Sequence, residues 1–153
     1  MSEPIGVMFV CLGNICRSPL AHALFVHKAR ERGLADRFDV DSAGTAAYHT
    51  GKPPDPRTRA VLAKHGVKSV GAARQASPAD FDRFDHILAM DRQNLRNLRA
   101  IAPSGLASRI RLALEPTSGG EVPDPYYGGV DGFGQVYAML DEALDAWLER
   151  WVP

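Results

Sequence analysis

The sequence of 153 residues predicts an α/β fold, a parallel sheet with helices on both faces. Three observations lead there. Short apolar runs recur along the chain, segments of helical apolar spacing separate them, and Gly, Pro or Asp marks most junctions. Strands covered on both faces read as continuous apolar runs, and strand–helix–strand order makes successive strands parallel. The length fits one domain, taken as 1–153, with room for a proper core.

The elements follow in order. Residues 5–10, IGVMFV, are apolar throughout and form the first strand. Residues 18–33 have helical spacing, with Leu20, Ala23, Leu24 and Val26 as the stripe and Gly33 as the stop. Residues 38–43, FDVDSA, alternate as a second strand. Asp55 caps a helix over 55–65, Pro56 takes its first position, and Gly66 ends it. A short helix over 78–83 has Ser77 as its cap, and residues 85–90, DHILAM, form the third strand. Asp91 caps a helix over 92–101 whose Leu95, Leu98 and Ile101 face inward, and Pro103 closes it. Residues 109–114, RIRLAL, are the fourth strand. The last helix covers 131–150, with Val136, Met139, Leu140, Ala143, Leu144, Trp147 and Leu148 as its stripe. Ligands of such sheets bind beyond the carboxyl ends of the strands. That edge carries residues 11–17, 42–50, 91 and 115–128.

Lys+Arg and Asp+Glu balance at 18 each, which points away from nucleic acid or an anionic membrane as the main partner. The chain lacks an apolar run long enough to span a bilayer and a secretory signal, so a cytoplasmic protein is expected. Two cysteines do not make a disulfide scaffold; they suggest specialised thiols in a reducing compartment. Residues 44–56 and 116–132, rich in Gly, Pro and Asp, read as functional loops. Within them, Gly119-Gly120 and Gly128-Gly129 read as loop flexibility.

Both cysteines fall in FVCLGNICRSP, residues 9–19. Gly13 and Asn14 tolerate positive φ, so the backbone N–H groups from Leu12 through Ile15 and Cys16 can curl around a dianionic phosphate. Ser18-Pro19 opens a helix whose N-terminus also favours an anion. Arg17 supplies a planar fork for two phosphate oxygens. Cys11, at the strand end, lies at the floor of this cup, where the positive field favours its thiolate. A thiolate under an anion cup is arranged to attack phosphorus. Cys16 reads either as a packed thiol or as a redox partner that captures oxidised Cys11.

Transfer from an ester needs an acid for the leaving oxygen. Asp55 and Asp91 are explained as helix caps, whereas Asp124 in DPYYGG precedes no immediate helix. Asp124 is therefore the acid, with Tyr126 or Tyr127 walling a pocket for an aromatic leaving group. Tyr48 is either a further wall or a surface residue. The five histidines have no metal-ligand spacing, so no metal is expected; His65 reads as a helix-terminal residue. Arg92, Arg96 and Arg99 read as a solvated helix face.

These residues resemble the low-molecular-weight protein tyrosine phosphatases. VCLGNICRSP is similar to that family's phosphate loop and DPYYG to its acid loop. DSAG at 41–44, PDPR at 54–57, ARQ at 73–75 and MDRQNLRNL at 90–98 resemble its other segments in the same order. The resemblance implies a four-stranded parallel sheet of flavodoxin-like winding, strand order 2-1-3-4, and no cofactor. It implies that Cys11 becomes a phosphocysteine, that Arg17 binds the phosphoryl group, and that Asp124 protonates the leaving phenol and later activates water. It further implies that Ser18 hydrogen-bonds the Cys11 thiolate and that Asn14 and Ser42 hold the loop. Tyr48, Tyr126 and Tyr127 would flank the substrate ring, and Cys16 would form a protective disulfide with Cys11. One departure is Gly71, where some members carry His.

A phosphotyrosine protein, such as a tyrosine kinase, is then the expected partner of a monomer or weak dimer. A thiol-relay arsenate reductase needs cysteines downstream of Cys16, and there are none. A protein-arginine phosphatase of the same fold would carry Thr where Ile15 stands. A silent phosphotyrosine-binding module would need neither Cys11 nor Asp124, and a dithiol redox protein would not hydrolyse aryl phosphates.

Overall fold

Strands β1 (Ile5–Cys11), β2 (Phe38–Gly44), β3 (His86–Ala89) and β4 (Ile110–Leu112) form one sheet in the order β2-β1-β3-β4. All three pairings are parallel, with Cys11 opposite Gly44 and Val10 opposite Ala89. The computed structural model describes residues 3–128 and 130–153. The helices are α1 (Arg17–Glu31), α2 (Pro56–Lys64), the single turn α3 (Asp80–Arg83), α4 (Arg92–Ile101) and α5 (Val130–Trp151).

Alternation along β1 sends its side chains to two cores. Val7, Phe9 and Cys11 join Leu20, Leu24, Phe25, Leu144 and Trp147 under α1 and α5. Met8 and Val10 join Phe81, Phe84, Ile87 and Leu98 under α3 and α4. The central strands are buried on both sides, as their unbroken apolar composition requires. Trp147 anchors α5 to the sheet layer by donating its indole N–H to the Ala113 carbonyl at 2.8 Å.

The sequence-derived elements are all present, with local corrections. The fourth strand pairs only over Ile110–Leu112; Ala113 and Leu114 enter the following turn. Ile101 is exposed, because steps of three residues from Leu95 rotate the face back by about 60° each. Met139 is exposed for the same reason, lying about 100° from the centre of the α5 stripe. Val26 is only partly buried. Ser77 does not cap α3 through its hydroxyl; its N–H instead donates to the Asp80 carboxylate at 2.8 Å. Of the glycine pairs read as loops, Gly129 lies outside the described residues.

Candidate active site

The loop between β1 and α1 is shaped by close contacts that its glycines permit. Cys11 and Leu12 carbonyls accept from Thr45 N–H (2.9 Å) and Ala46 N–H (3.0 Å), drawing the loop onto the end of β2. A Cβ on Gly44 would stand 2.7 Å from the Leu12 oxygen, so the approach needs glycine there. Positive φ falls on Asn14 alone in this loop (φ 56°). Gly13, expected to share that conformation, does not; a Cβ there would stand 2.9 Å from the His49 ring, which would have to shift.

Asn14 ties the loop together. Its Nδ2 donates to Ser18 Oγ at 2.8 Å, and its Oδ1 accepts the Arg74 N–H at 3.0 Å. Arg74 is fixed in turn by Asp80 at 3.0 Å and Asp41 at 3.1 Å. Ser18 Oγ lies 3.0 Å from Cys11 Sγ. With Asn14 as its donor, Ser18 can turn its one hydroxyl proton to the sulfur or to the Ala43 carbonyl at 3.4 Å. Ser42 does not reach the loop as expected. Its Oγ lies 3.2 Å from His22 Nδ1, because β2 alternation turns it toward α1 rather than toward the loop. Burial, only partly offset by Asp41, holds His22 below its ordinary value. Its ring also occupies the space in front of Gly71, Cε1 lying 4.0 Å from where a Cβ would be.

Arg17 is buried at the start of α1. Its Nη1 donates to Asp91 Oδ2 at 2.7 Å and to the Val122 carbonyl at 3.0 Å, while Nη2 stands 3.7 Å from Asp124. Burial opposes its charge, but Cys11 and Asp91 outweigh that and push its pKa above the ordinary arginine value. Asp91 caps α4 as the sequence indicates, accepting from Asn94 N–H at 2.7 Å. Its second oxygen orients Arg17, a role the capping pattern conceals.

The second cysteine has a different environment. Burial and the nearby Asp55 charge push the Cys16 thiol up to about 12, so it stays protonated. Both cysteines are free and buried. Asp55 caps α2 by accepting from Arg57 N–H at 2.8 Å, and its own N–H donates to the Ile15 carbonyl at 2.7 Å. Thr58 Oγ1 donates to the Cys16 carbonyl at 3.2 Å, so α2 supports the loop from behind.

A cleft of about 110 Å³ opens over Cys11 and is lined by Leu12, Gly13, Ile15, Cys16, Arg17, Tyr48, His49, Asp124, Tyr126 and Tyr127. Asp124 Oδ1 accepts from Tyr126 N–H at 3.1 Å, a turn that holds its other oxygen toward Arg17. Tyr126 is half-buried beneath the Arg57 guanidinium (5.5 Å) and meets Tyr127 edge to face (4.9 Å). Tyr127 is 93% and Tyr48 73% exposed, so both form the rim rather than the core. The structure thus unites Cys11, Arg17, Asp124 and three tyrosines from distant loops. It adds Asp91 and the Val122 carbonyl, and His49, which lies 6.2 Å from Tyr126. His49 sits beside Tyr48 in sequence, but nothing in its spacing marked it. His65 caps α2 and stacks on Tyr137 at 3.9 Å, away from the cleft.

The arrangement offers a nucleophilic sulfur, a fixed guanidinium and a carboxylate across one aromatic-walled cleft. Comparisons with known proteins show the family and the fold of the chain. The family model described as low molecular weight phosphotyrosine protein phosphatase matches residues 6–151. A low molecular weight phosphotyrosine protein phosphatase of Schizosaccharomyces pombe is 50% identical over 144 residues, 92% of each chain. The human protein of that description is 38% identical over 149 residues, covering 95% of this chain and 94% of its own. The protein tyrosine phosphatase of Entamoeba histolytica, solved with Hepes in its active site, superposes with a TM-score of 0.92 at 36% identity, covering 96% of each chain.

Proposed function

The chain belongs to the low molecular weight phosphotyrosine protein phosphatase family, cysteine-dependent enzymes that hydrolyse phosphotyrosine through a phosphocysteine, and from that membership we propose how its residues divide the work. Cys11 thiolate attacks phosphorus in line with the ester bond. The phenolic oxygen leaves as Asp124 gives it a proton. Arg17, anchored through Nη1, grips the phosphoryl oxygens with its remaining N–H groups, and the N–H groups of residues 12–16 hold the developing negative charge. Asp124, now ionised, takes a proton from water as that water attacks the phosphocysteine. Phosphate departs and Cys11 leaves as a thiolate, stabilised by the Ser18 hydroxyl at 3.0 Å. One observation carries the assignment: Arg17 lies between Asp91 at 2.7 Å and Asp124 at 3.7 Å over the Cys11 floor, so acid, clamp and nucleophile share one phosphate-sized space.

Tyr48, Tyr126 and Tyr127 wall the ring of a tyrosine phosphate, and a phosphotyrosine protein, such as a kinase, is its substrate. Redox sensitivity rests on Cys16. Oxidation of Cys11 by a peroxide gives a sulfenic acid, and the Cys16 thiol displaces water from it to form a disulfide that a cellular thiol reduces. A cytoplasmic location fits free thiols, and among the described residues no helix is long and apolar enough to cross a membrane.

The test is p-nitrophenyl phosphate hydrolysis between about pH 5 and 7, with EDTA and reductant. Turnover by the wild type that disappears in Cys11→Ser, while oxyanion binding persists, is the expected result. No turnover by the wild type would redirect the reading to phosphoarginine.

A further inference from the structure

The outer face of α4 carries Arg92, Arg96 and Arg99, all exposed, at the three- and four-residue spacing that aligns side chains. Together with Arg111 of β4 they line a groove of about 570 Å³ over an apolar floor of Leu95 and Leu112. The acids nearby are already engaged. Glu115 binds Arg111 at 2.8 Å and Arg150 at 3.2 Å. Glu121 accepts the Arg92 N–H at 2.8 Å and stands 4.0 Å from its guanidinium. Among the described residues Arg96 donates only to the neutral Gln93 carboxamide, at 2.9 Å. Arg92 and Arg111 are thus partly offset, and the surplus positive charge of the groove sits on Arg96 and Arg99, in a chain whose formal net charge is zero.

One end of the groove is tied to the Arg17 anchor through neighbours in sequence. Arg92 follows Asp91, which holds Arg17 at 2.7 Å, and Glu121 precedes Val122, whose carbonyl holds the same guanidinium at 3.0 Å. From Arg92 to Arg99 the helix rises about 10 Å. Three or four residues of extended peptide, at about 3.3 Å each, cover that length.

Resting on the phosphatase activity of the cleft, we propose that this groove docks an acidic segment of the phosphoprotein substrate while its phosphotyrosine occupies the cleft. Its arginines match carboxylates in charge and geometry. None of its lining residues is aromatic, so bases would find no stacking platform there. It is concave and presents no apolar wedge to a bilayer. Docking acts on KM for the protein substrate and leaves the chemistry on small aryl phosphates alone.

The test compares the wild type with Arg96→Glu/Arg99→Glu on p-nitrophenyl phosphate and on three phosphotyrosine peptides. One peptide has neutral flanks; the others carry an aspartate run on the N-terminal or the C-terminal side. At low salt the wild type should favour at least one acidic peptide by about three- to tenfold in kcat/KM, mostly through KM, as two exposed charge pairs allow. About 0.5 M salt should erase the preference. The double variant should lose it with p-nitrophenyl phosphate turnover unchanged. Equal rates on all three peptides, or a preference that survives in the double variant, would overturn the proposal. So would phosphatidylserine-vesicle binding that depends on the two arginines without any peptide preference, which would make the face a membrane contact. Fluorescence polarisation of the same peptides on a Cys11→Ser background reads docking without turnover, so failure of the catalytic assignment is told apart from failure of the groove.

Discussion

Asp91 performs two tasks with two oxygens, and substitutions can separate them. Oδ1 accepts from Asn94 N–H at 2.7 Å and caps α4; Oδ2 accepts from Arg17 at 2.7 Å and aims the clamp. In Asp91→Ser the hydroxyl still reaches the Asn94 N–H but is too short for Arg17. In Asp91→Ala both contacts go. A side-chain cap is worth about 1 kcal/mol, so unfolding should place Ser about 1 kcal/mol above Ala, with both below the wild type because buried Arg17 loses its partner. A hydrogen bond to a charged group contributes about 1.5–3 kcal/mol. If that energy serves to hold Arg17 for the transition state, kcat/KM on p-nitrophenyl phosphate should fall about ten- to a hundredfold in both variants. Activity would then be insensitive to the cap and stability would follow it. Urea unfolding and initial rates on the same preparations decide the matter. An Asp91→Ser enzyme within about twofold of wild-type kcat/KM would mean that the Val122 carbonyl, 3.0 Å from Nη1, suffices to aim Arg17, and the reasoning would fail.

Three further outcomes are expected. Asp124→Ala should slow aryl phosphate hydrolysis by about 10²–10⁴, most for the poorest leaving groups; undiminished rates on a poor leaving group would remove Asp124 from the role of acid. Gly44→Ala should cost about 1–3 kcal/mol and disturb the cup, because the new Cβ meets backbone oxygens of Leu12 at 2.7 Å and Ala46 at 3.0 Å, which cannot move like side chains; thermal melts matching the wild type would refute it. His22 and His86 are both held below the ordinary histidine value, chiefly by burial. The unfolded chain then takes up protons as pH falls through about 6.5 while the folded chain does not. Stability is thus full above about pH 6.5 and declines below it, and His22→Gln should flatten that decline in melts at pH 7.5, 6.5 and 5.5; an unchanged slope would count against a buried neutral His22.

Much of this protein was legible in its residues because the signals are local. The apolar run of β1, the positive-φ tolerance of Asn14, the Ser-Pro helix start and the Cys11–Arg17 interval are all set by neighbours along the chain. Burial on both faces of the sheet follows from composition, and resemblance supplied the strand order that the structure displays. Periodicity erred where it was extended to helix margins, as at Ile101 and Met139, since a fixed step drifts around the helix. What the chain could not disclose were contacts between distant loops. Asp91 reads as a cap because its helix is local, while its bond to Arg17 spans 74 residues. Ser42 could face the loop or α1, and only the register of β1 against β2 turned it to His22. His49 reached the cleft wall because Gly13 leaves room for its ring, and the arginines of α4 became a groove only when β4 set Arg111 beside them. Local chemistry is written in the order of residues; which groups oppose one another across a cleft depends on packing that brings remote segments together.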